Sequence, residues 1–291
     1  MYLYSNNLND LYRMSKKLSF IFSCKNDDYV KDFVKRMEYS VNYNLKIIEE
    51  IGKLDQIEFI IVDWGSEIEI SENFKVFDKK FVDKIKFYYF NTKITKNSAR
   101  DLPGNFWQEL THNCGIVRSK GSHIITGHHD VIFSYSSWIN IFRVIEDERY
   151  DNNIFWLPRI ELNNIFLRKH LDFNNFRNYL DRIFLSKLRI SHANMQHGGG
   201  ASGFLVKKNI FQEKFGISEN LKSKGRYSGS DADLWQKASI DHDHQDGLSE
   251  GIISYKFPIH SNKSKKNAMD LREFFKGKIR IKNFRYNLDY N

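Results

Sequence analysis

Two short apolar runs with one amphipathic stretch between them limit what this chain can fold into. Leu18-Ser-Phe-Ile-Phe-Ser23 is rich in strand-forming residues and ends in the polar cluster Lys25-Asn-Asp-Asp28. Between Tyr29 and Ile51, Phe33, Met37, Val41, Leu45 and Ile48 fall three or four apart, which is the spacing of one helix face. A second run, Ile57-Glu-Phe-Ile-Ile-Val62, ends in Asp63-Trp-Gly-Ser66. Strand, helix and strand in that order predict a right-handed βαβ unit with parallel strands, so both polar strand ends emerge at the same edge.

The alternation continues downstream. Val82 to Phe90 reads as a strand, Asn105 to Lys120 as a helix, and Ile124-Ile125-Thr126 as a buried strand that runs into His128-His129-Asp130. Phe155-Trp-Leu-Pro158 suggests a strand, Asp172 to Leu188 a helix, Phe204-Leu-Val206 a strand and Asn209 to Phe215 a short helix. At 291 residues, the chain suits one large α/β domain with a substantial core. The expected division is a lead-in over 1–17, a catalytic domain over 18–262 and a basic extension over 263–291.

Two cysteines, Cys24 and Cys114, are too few for a zinc tetrad or a disulfide framework, which favours a reducing, cytoplasmic setting. No apolar run reaches the length of a membrane span, and residues 1–17 lack the apolar centre of a signal peptide. The net charge is +9. It is concentrated between Lys263 and Arg285, where nine Lys or Arg residues face only Asp270 and Glu273. Such a stretch suits a solvated helix face or peripheral attachment to an anionic membrane surface at its inner face. No nucleic acid is expected as partner.

Open α/β sheets bind ligands at the carboxyl ends of their strands, so Asp27, Asp28, Asp63, Asp130, Asp231 and His260 form a candidate constellation. Carboxylates with imidazole support suit Mg²⁺ or Mn²⁺ held partly through substrate phosphates. The run Asp241-His-Asp-His-Gln-Asp246 also looks metal-binding by composition. Adjacent residues cannot all converge on one ion, however, and it reads as a solvated acidic loop.

Six segments then occur in a telling order: Ser23-Cys-Lys-Asn-Asp-Asp28, Val62-Asp-Trp-Gly-Ser66, Asn113-Cys-Gly-Ile-Val-Arg-Ser-Lys-Gly121, Asp130-Val-Ile-Phe133, Gly200-Ala-Ser-Gly-Phe204 and Ser230-Asp-Ala-Asp-Leu234. Together, across roughly residues 18 to 262, they resemble nucleotide-sugar-dependent glycosyltransferases of the GT-A fold, particularly the bacterial family-two-like enzymes. The resemblance implies a Rossmann-like mixed sheet flanked by helices. It also implies an inverting hexosyltransferase that moves a sugar from a nucleoside diphosphate, UDP favoured, to a glycan or lipid-linked glycan of a bacterial surface polysaccharide.

By the same resemblance, Ser23, Asn26, Asp27 and Asp28 would hold the base, Asp63 would lie against the base or ribose, and Asn113 and Arg118 would face the same cleft. His128, Asp130 and His260 would hold Mn²⁺ or Mg²⁺. His128 stands where the family has a first carboxylate, a change that favours Mn²⁺. Gly199 and Gly200 would form the turn beneath the acceptor, with Asp233 nearby, and Asp231 would be the catalytic base. A GT-A protein that binds nucleotide or glycan without turnover, and a metal-dependent hydrolase, remain as alternatives.

Overall fold

β1 (Leu18–Cys24) is the strand around which the rest is arranged, and all seven of its residues are buried. The computed structural model describes residues 17–26, 32–90, 108–162, 173–188, 203–210 and 244–256. β2 (Ile57–Asp63) pairs parallel with one edge of β1 and β4 (His123–Gly127) with the other, while β3 (Ile85–Tyr89) extends the parallel set beyond β2. Strands covered on both faces need near-continuous apolar runs, which is how β1 and β2 read apart from Ser19 and Glu58, whose side chains are buried and hydrogen-bonded to each other. β8 (Phe204–Lys207) then lies antiparallel between β4 and β6 (Ile154–Trp156), and β9 (His244–Asp246) closes that edge parallel to β6. The sheet order is β3-β2-β1-β4-β8-β6-β9. This is the mixed α/β sheet flanked by helices that the sequence predicts.

Side chains alternate across the sheet and divide the core in two. Phe20, Phe22, Phe59 and Ile61 pack with α1 (Phe33–Glu50) and α3 (Tyr135–Glu146), while Ile21, Ile60, Val62 and Ile124 pack with Cys114 and Ile116 of α2 (Gln108–Arg118). α2 sits close against its face because Gly115 has no side chain. A Cβ there would lie 2.4 Å from a methyl of Ile21.

A small second sheet stands beside the first, in the order β5 (Val131–Phe133), β10 (Ser254–Lys256), β7 (Arg159–Glu161). α1 holds it through Asn44, whose amide nitrogen donates to the Val131 carbonyl while its oxygen accepts from the Phe133 N–H and the Trp138 indole. α4 (Phe173–Leu188) packs against α3. No helix among the described residues is long and apolar enough to cross a membrane.

Several sequence expectations need adjusting. The run from Val82 opens as a 3₁₀ turn, Lys79–Lys84, capped by the Asp78 carboxylate on the Lys80 N–H, and becomes a strand only at Ile85. The helix expected from Asn209 appears as a single turn, Lys208–Ile210, within the described residues. The acidic loop expected over 241–246 is corrected in its last three residues: His244–Asp246 is the edge strand β9, recruited by pairing with β6.

Candidate functional site

The strand register gathers the polar strand ends. Ser23 pairs with Val62, Cys24 with Asp63, and Phe22 with Gly127, so Ser23–Asn26, Asp63–Ser66 and Gly127–Asp130 leave the sheet at one edge. Thr111, in the first turns of α2, overlies that edge and shares a hydrogen bond with the Ser23 hydroxyl. The loops brace each other: the Trp64 N–H donates to the Cys24 carbonyl at 2.8 Å, and the Asn26 N–H donates to the Ser66 hydroxyl at 2.8 Å.

Asp63 organises its own loop. One carboxylate oxygen accepts from the Ser66 N–H at 3.0 Å and the Ser66 hydroxyl at 2.5 Å, and the other accepts from the Ile70 N–H at 3.0 Å. Burial nevertheless raises its pKa from the ordinary carboxylate value, against the pull of these bonds. Of the positions expected to meet a base or ribose, Ser23, Asn26 and Asp63 are brought together here. Asn113 lies half-buried on α2. The exposed Arg118 folds back on its own helix, donating to the Cys114 carbonyl and sulfur, with its guanidinium 5.5 Å from the Tyr88 ring centroid.

At the end of β4 the chain places His128, His129 and Asp130 in one turn before β5. The His129 ring packs on Phe33 with centroids 4.2 Å apart, and its carbonyl accepts from the Ser40 hydroxyl at 2.7 Å. Asp130 is fully buried. One of its oxygens lies 3.6 Å from the Arg36 guanidinium, the other 3.7 Å from the Lys256 ammonium, and both cations are themselves buried. These are ion-pair separations beyond hydrogen-bond reach, and neither Asp130 oxygen accepts a hydrogen bond among the described residues. The small sheet creates this contact: Lys256 pairs directly with Val131, the residue after Asp130.

The imidazoles around this point are held neutral. Lys256, ahead of burial and of Arg159, drives His128 well below the usual histidine range. Burial lowers His129 to about 4 despite the pull of Asp130. Burial likewise lowers His112 to about 4, although its ring donates to the Gly127 carbonyl. Neutral rings can lie beside Arg36, Arg159 and Lys256 without adding to the positive charge.

Of the expected metal set, His128 and Asp130 lie among the described residues and His260 does not. Among the described residues, no three His, Cys, Asp or Glu side chains gather as metal ligands. Asp130, the carboxylate on which the expectation rested, directs both oxygens at cations, and a divalent ion would have to share it with them. His128 and Asp130 as described do not fit a metal site. His260, Asp27, Asp28, Gly199, Gly200, Asp231 and Asp233 lie outside the described residues, as do 1–16 and 257–291.

Gly203, last of the small-residue run before β8, has a positive φ of 149° and stands against the backbone of β4. A Cβ there would fall 1.6 Å from the Thr126 carbonyl oxygen, while the Gly203 carbonyl accepts from the Leu157 N–H at 3.1 Å. Gly203→Ala is expected to force β8 away from β4 and cost about 1–3 kcal/mol of stability. Urea denaturation checks this, and an unchanged midpoint would mean that the strand start has room to move.

Sequence reasoning missed the cationic neighbours of Asp130. For Arg36 a signal was available: Arg36, Ser40 and Asn44 recur every four residues along α1 and form a polar line within an otherwise apolar face. All three reach the segment from His129 to Phe133. Lys256 and Arg159 carried no comparable signal, because only the pairing of β10 and β7 brings them near.

No protein-family model matches the chain. No curated protein matches it either. Among solved structures, the chain is similar to residues 1–349 of TarS from S. aureus, at 12% identity, with a TM-score of 0.47 over 83% of this chain and 60% of that one. The same protein in complex with UDP-GlcNAc gives 12% identity and a TM-score of 0.46 over 84% and 60%. In complex with UDP it gives 12% identity and 0.48 over 83% and 60%. The chain thus spans about three-fifths of the length of these structures.

Proposed function

We propose that the chain is a glycosyltransferase that moves a sugar from a nucleoside diphosphate to a hydroxyl of a glycan acceptor. The observation that carries this reading is the register of β1 with β2 and β4. Three segments far apart in sequence, Ser23–Asn26, Asp63–Ser66 and Gly127–Asp130, meet at one carboxyl edge beneath the first turns of α2. That edge is where open α/β sheets receive nucleotides. The order of the polar motifs supports the same reading, because they alternate with the elements that bring them there.

In the proposed reaction the donor's base and ribose rest against Ser23, Asn26 and the Asp63 loop, with Asp27, Asp28, Asn113 and Arg118 as further contacts. The acceptor lies over Gly199 and Gly200, near Asp233. Asp231 accepts the proton of the acceptor hydroxyl as that oxygen bonds to the anomeric carbon. The bond from that carbon to the diphosphate oxygen breaks on the opposite face, inverting the centre. The nucleoside diphosphate leaves with the electron pair.

A thermal-shift screen of UDP-, GDP-, CDP- and dTDP-sugars tests the reading. A donor present at a hundredfold excess over its Kd adds about 2.7 kcal/mol to native stability, which appears as a melting temperature raised by several degrees. If no nucleotide sugar raises the melting temperature and none is consumed when acceptor glycans are added, the glycosyltransferase reading fails.

A further inference from the structure

We propose that Tyr89 is the platform on which the base of the donor nucleotide stacks; this rests on the glycosyltransferase reading above. The residue stands at the carboxyl end of β3, the outermost strand of the parallel set. Strand register places Cys24, Asp63 and Tyr89 in one row across β1, β2 and β3. Residues in such a row present their side chains to the same face, on strands about 4.8 Å apart. Tyr89 therefore neighbours the Asp63 loop, which the proposed function sets against base and ribose. It is 42% exposed. Its hydroxyl donates to the Ser66 carbonyl at 3.3 Å, so the far end of the ring is tethered to the loop that Asp63 holds.

Other described rings near this edge are already engaged. Trp64 is buried and packs on Phe90 with centroids 5.2 Å apart, and Phe33 carries the His129 ring at 4.2 Å. Tyr88 falls on the opposite face of the sheet, where the Arg118 guanidinium lies 5.5 Å from its centroid. Ser23, Asn26 and Asp63 supply hydrogen-bonding groups but no flat apolar surface. A nucleotide base has two flat faces, and stacking on an aromatic ring covers one of them. The tether adds to the effect, because a ring fixed before the ligand arrives loses little freedom on binding. Stacking tolerates any base, since each has a π-face. Tyr89 thus sets affinity, and the choice among bases falls to the polar groups of the Ser23–Asn26 and Asp63–Ser66 loops.

The test is calorimetric titration of the full chain with UDP, GDP, CDP and dTDP, on the parent and on Tyr89→Ile, Tyr89→Phe and Tyr89→Trp. Isoleucine keeps a bulky strand former and removes the ring. Tyr89→Ile should therefore weaken the best nucleoside diphosphate about tenfold to a hundredfold, the range for a lost base–aromatic stack, and leave the order of preference among the four unchanged. Tyr89→Phe keeps the ring without the tether and should stay within about threefold of the parent. Tyr89→Trp should bind at least as tightly as the parent and show fluorescence quenching on titration beyond the parent's. Should Tyr89→Ile fail to fold, Tyr89→Phe and Tyr89→Trp still decide. Tyr89→Ile binding within about twofold of the parent, or Tyr89→Phe binding as weakly as Tyr89→Ile, overturns this inference and leaves the glycosyltransferase reading standing. So does a Tyr89→Trp variant whose quenching matches the parent's. Absence of any nucleoside diphosphate binding to the parent overturns that reading and the inference together.

Discussion

Asp130→Ala is expected to lower the free energy of unfolding by about 3–5 kcal/mol, the range for breaking a buried ion pair from one side. The mutation leaves the Arg36 guanidinium and the Lys256 ammonium buried without the carboxylate that lies 3.6 and 3.7 Å from them. Removing the side chain also opens a cavity beside β5, and two buried cations then repel each other across it. Urea denaturation reads the loss as a lower midpoint with an unchanged slope. The control is the apolar combination Arg36→Met, Asp130→Leu and Lys256→Met. Replacing a whole buried charge group by hydrophobic side chains of similar volume tends to be neutral or stabilising, so this variant should recover most of the loss. If Asp130→Ala stays within about 1 kcal/mol of the parent, the cations are compensated elsewhere and the account of the cluster is wrong.

Asp231→Asn is expected to reduce sugar transfer by about 10²–10⁴-fold, the usual contribution of a positioned general base. The amide keeps the shape of the carboxylate and cannot take the acceptor's proton. Nucleotide affinity should therefore remain within a few-fold, because in the proposed reaction Asp231 acts on the acceptor oxygen rather than on the donor. The readout is kcat alongside nucleotide affinity from titration, with Asp233→Asn as the comparison. A variant at Asp231 that retains transfer within about tenfold of the parent would move the base assignment to another residue.

The parallel half of the sheet was legible because its signals are local. α1 carries a helical period that its residues display, and the buried parallel strands β1 and β2 advertise themselves as mostly apolar runs, broken only by Ser19, Ser23, Glu58 and the terminal Asp63. The edge was harder. β9 looked like a solvated loop because His244, Gln245 and Asp246 have no strand pattern; pairing with Ile154–Trp156 recruits them. The same limit governed the site. The strand-end positions Ser23, Asp63 and Asp130 could be read from where the apolar runs stop. What surrounds Asp130 could not, since it is set by Lys256 through a cross-strand register and by Arg36 through a polar line on α1. That register also turned a carboxylate expected to hold a metal into the centre of a cationic cluster.

The small sheet also sets the order in which the site can come into being. Arg36, Ser40 and Asn44 lie on one helix and can grip His129 to Phe133 once α1 docks on β1. Lys256 reaches Asp130 only when β10 inserts between β5 and β7, which closes a loop running from residue 130 to residue 256. Closing so long a loop is entropically unfavourable and belongs to the late stages of folding. Before that step the strand end holds the Arg36–Asp130 pair; afterwards the Lys256 ammonium joins it from the other side. The contact between Lys256 and Asp130 would then be acquired in the last docking event, and weakening it would speed the departure of β10.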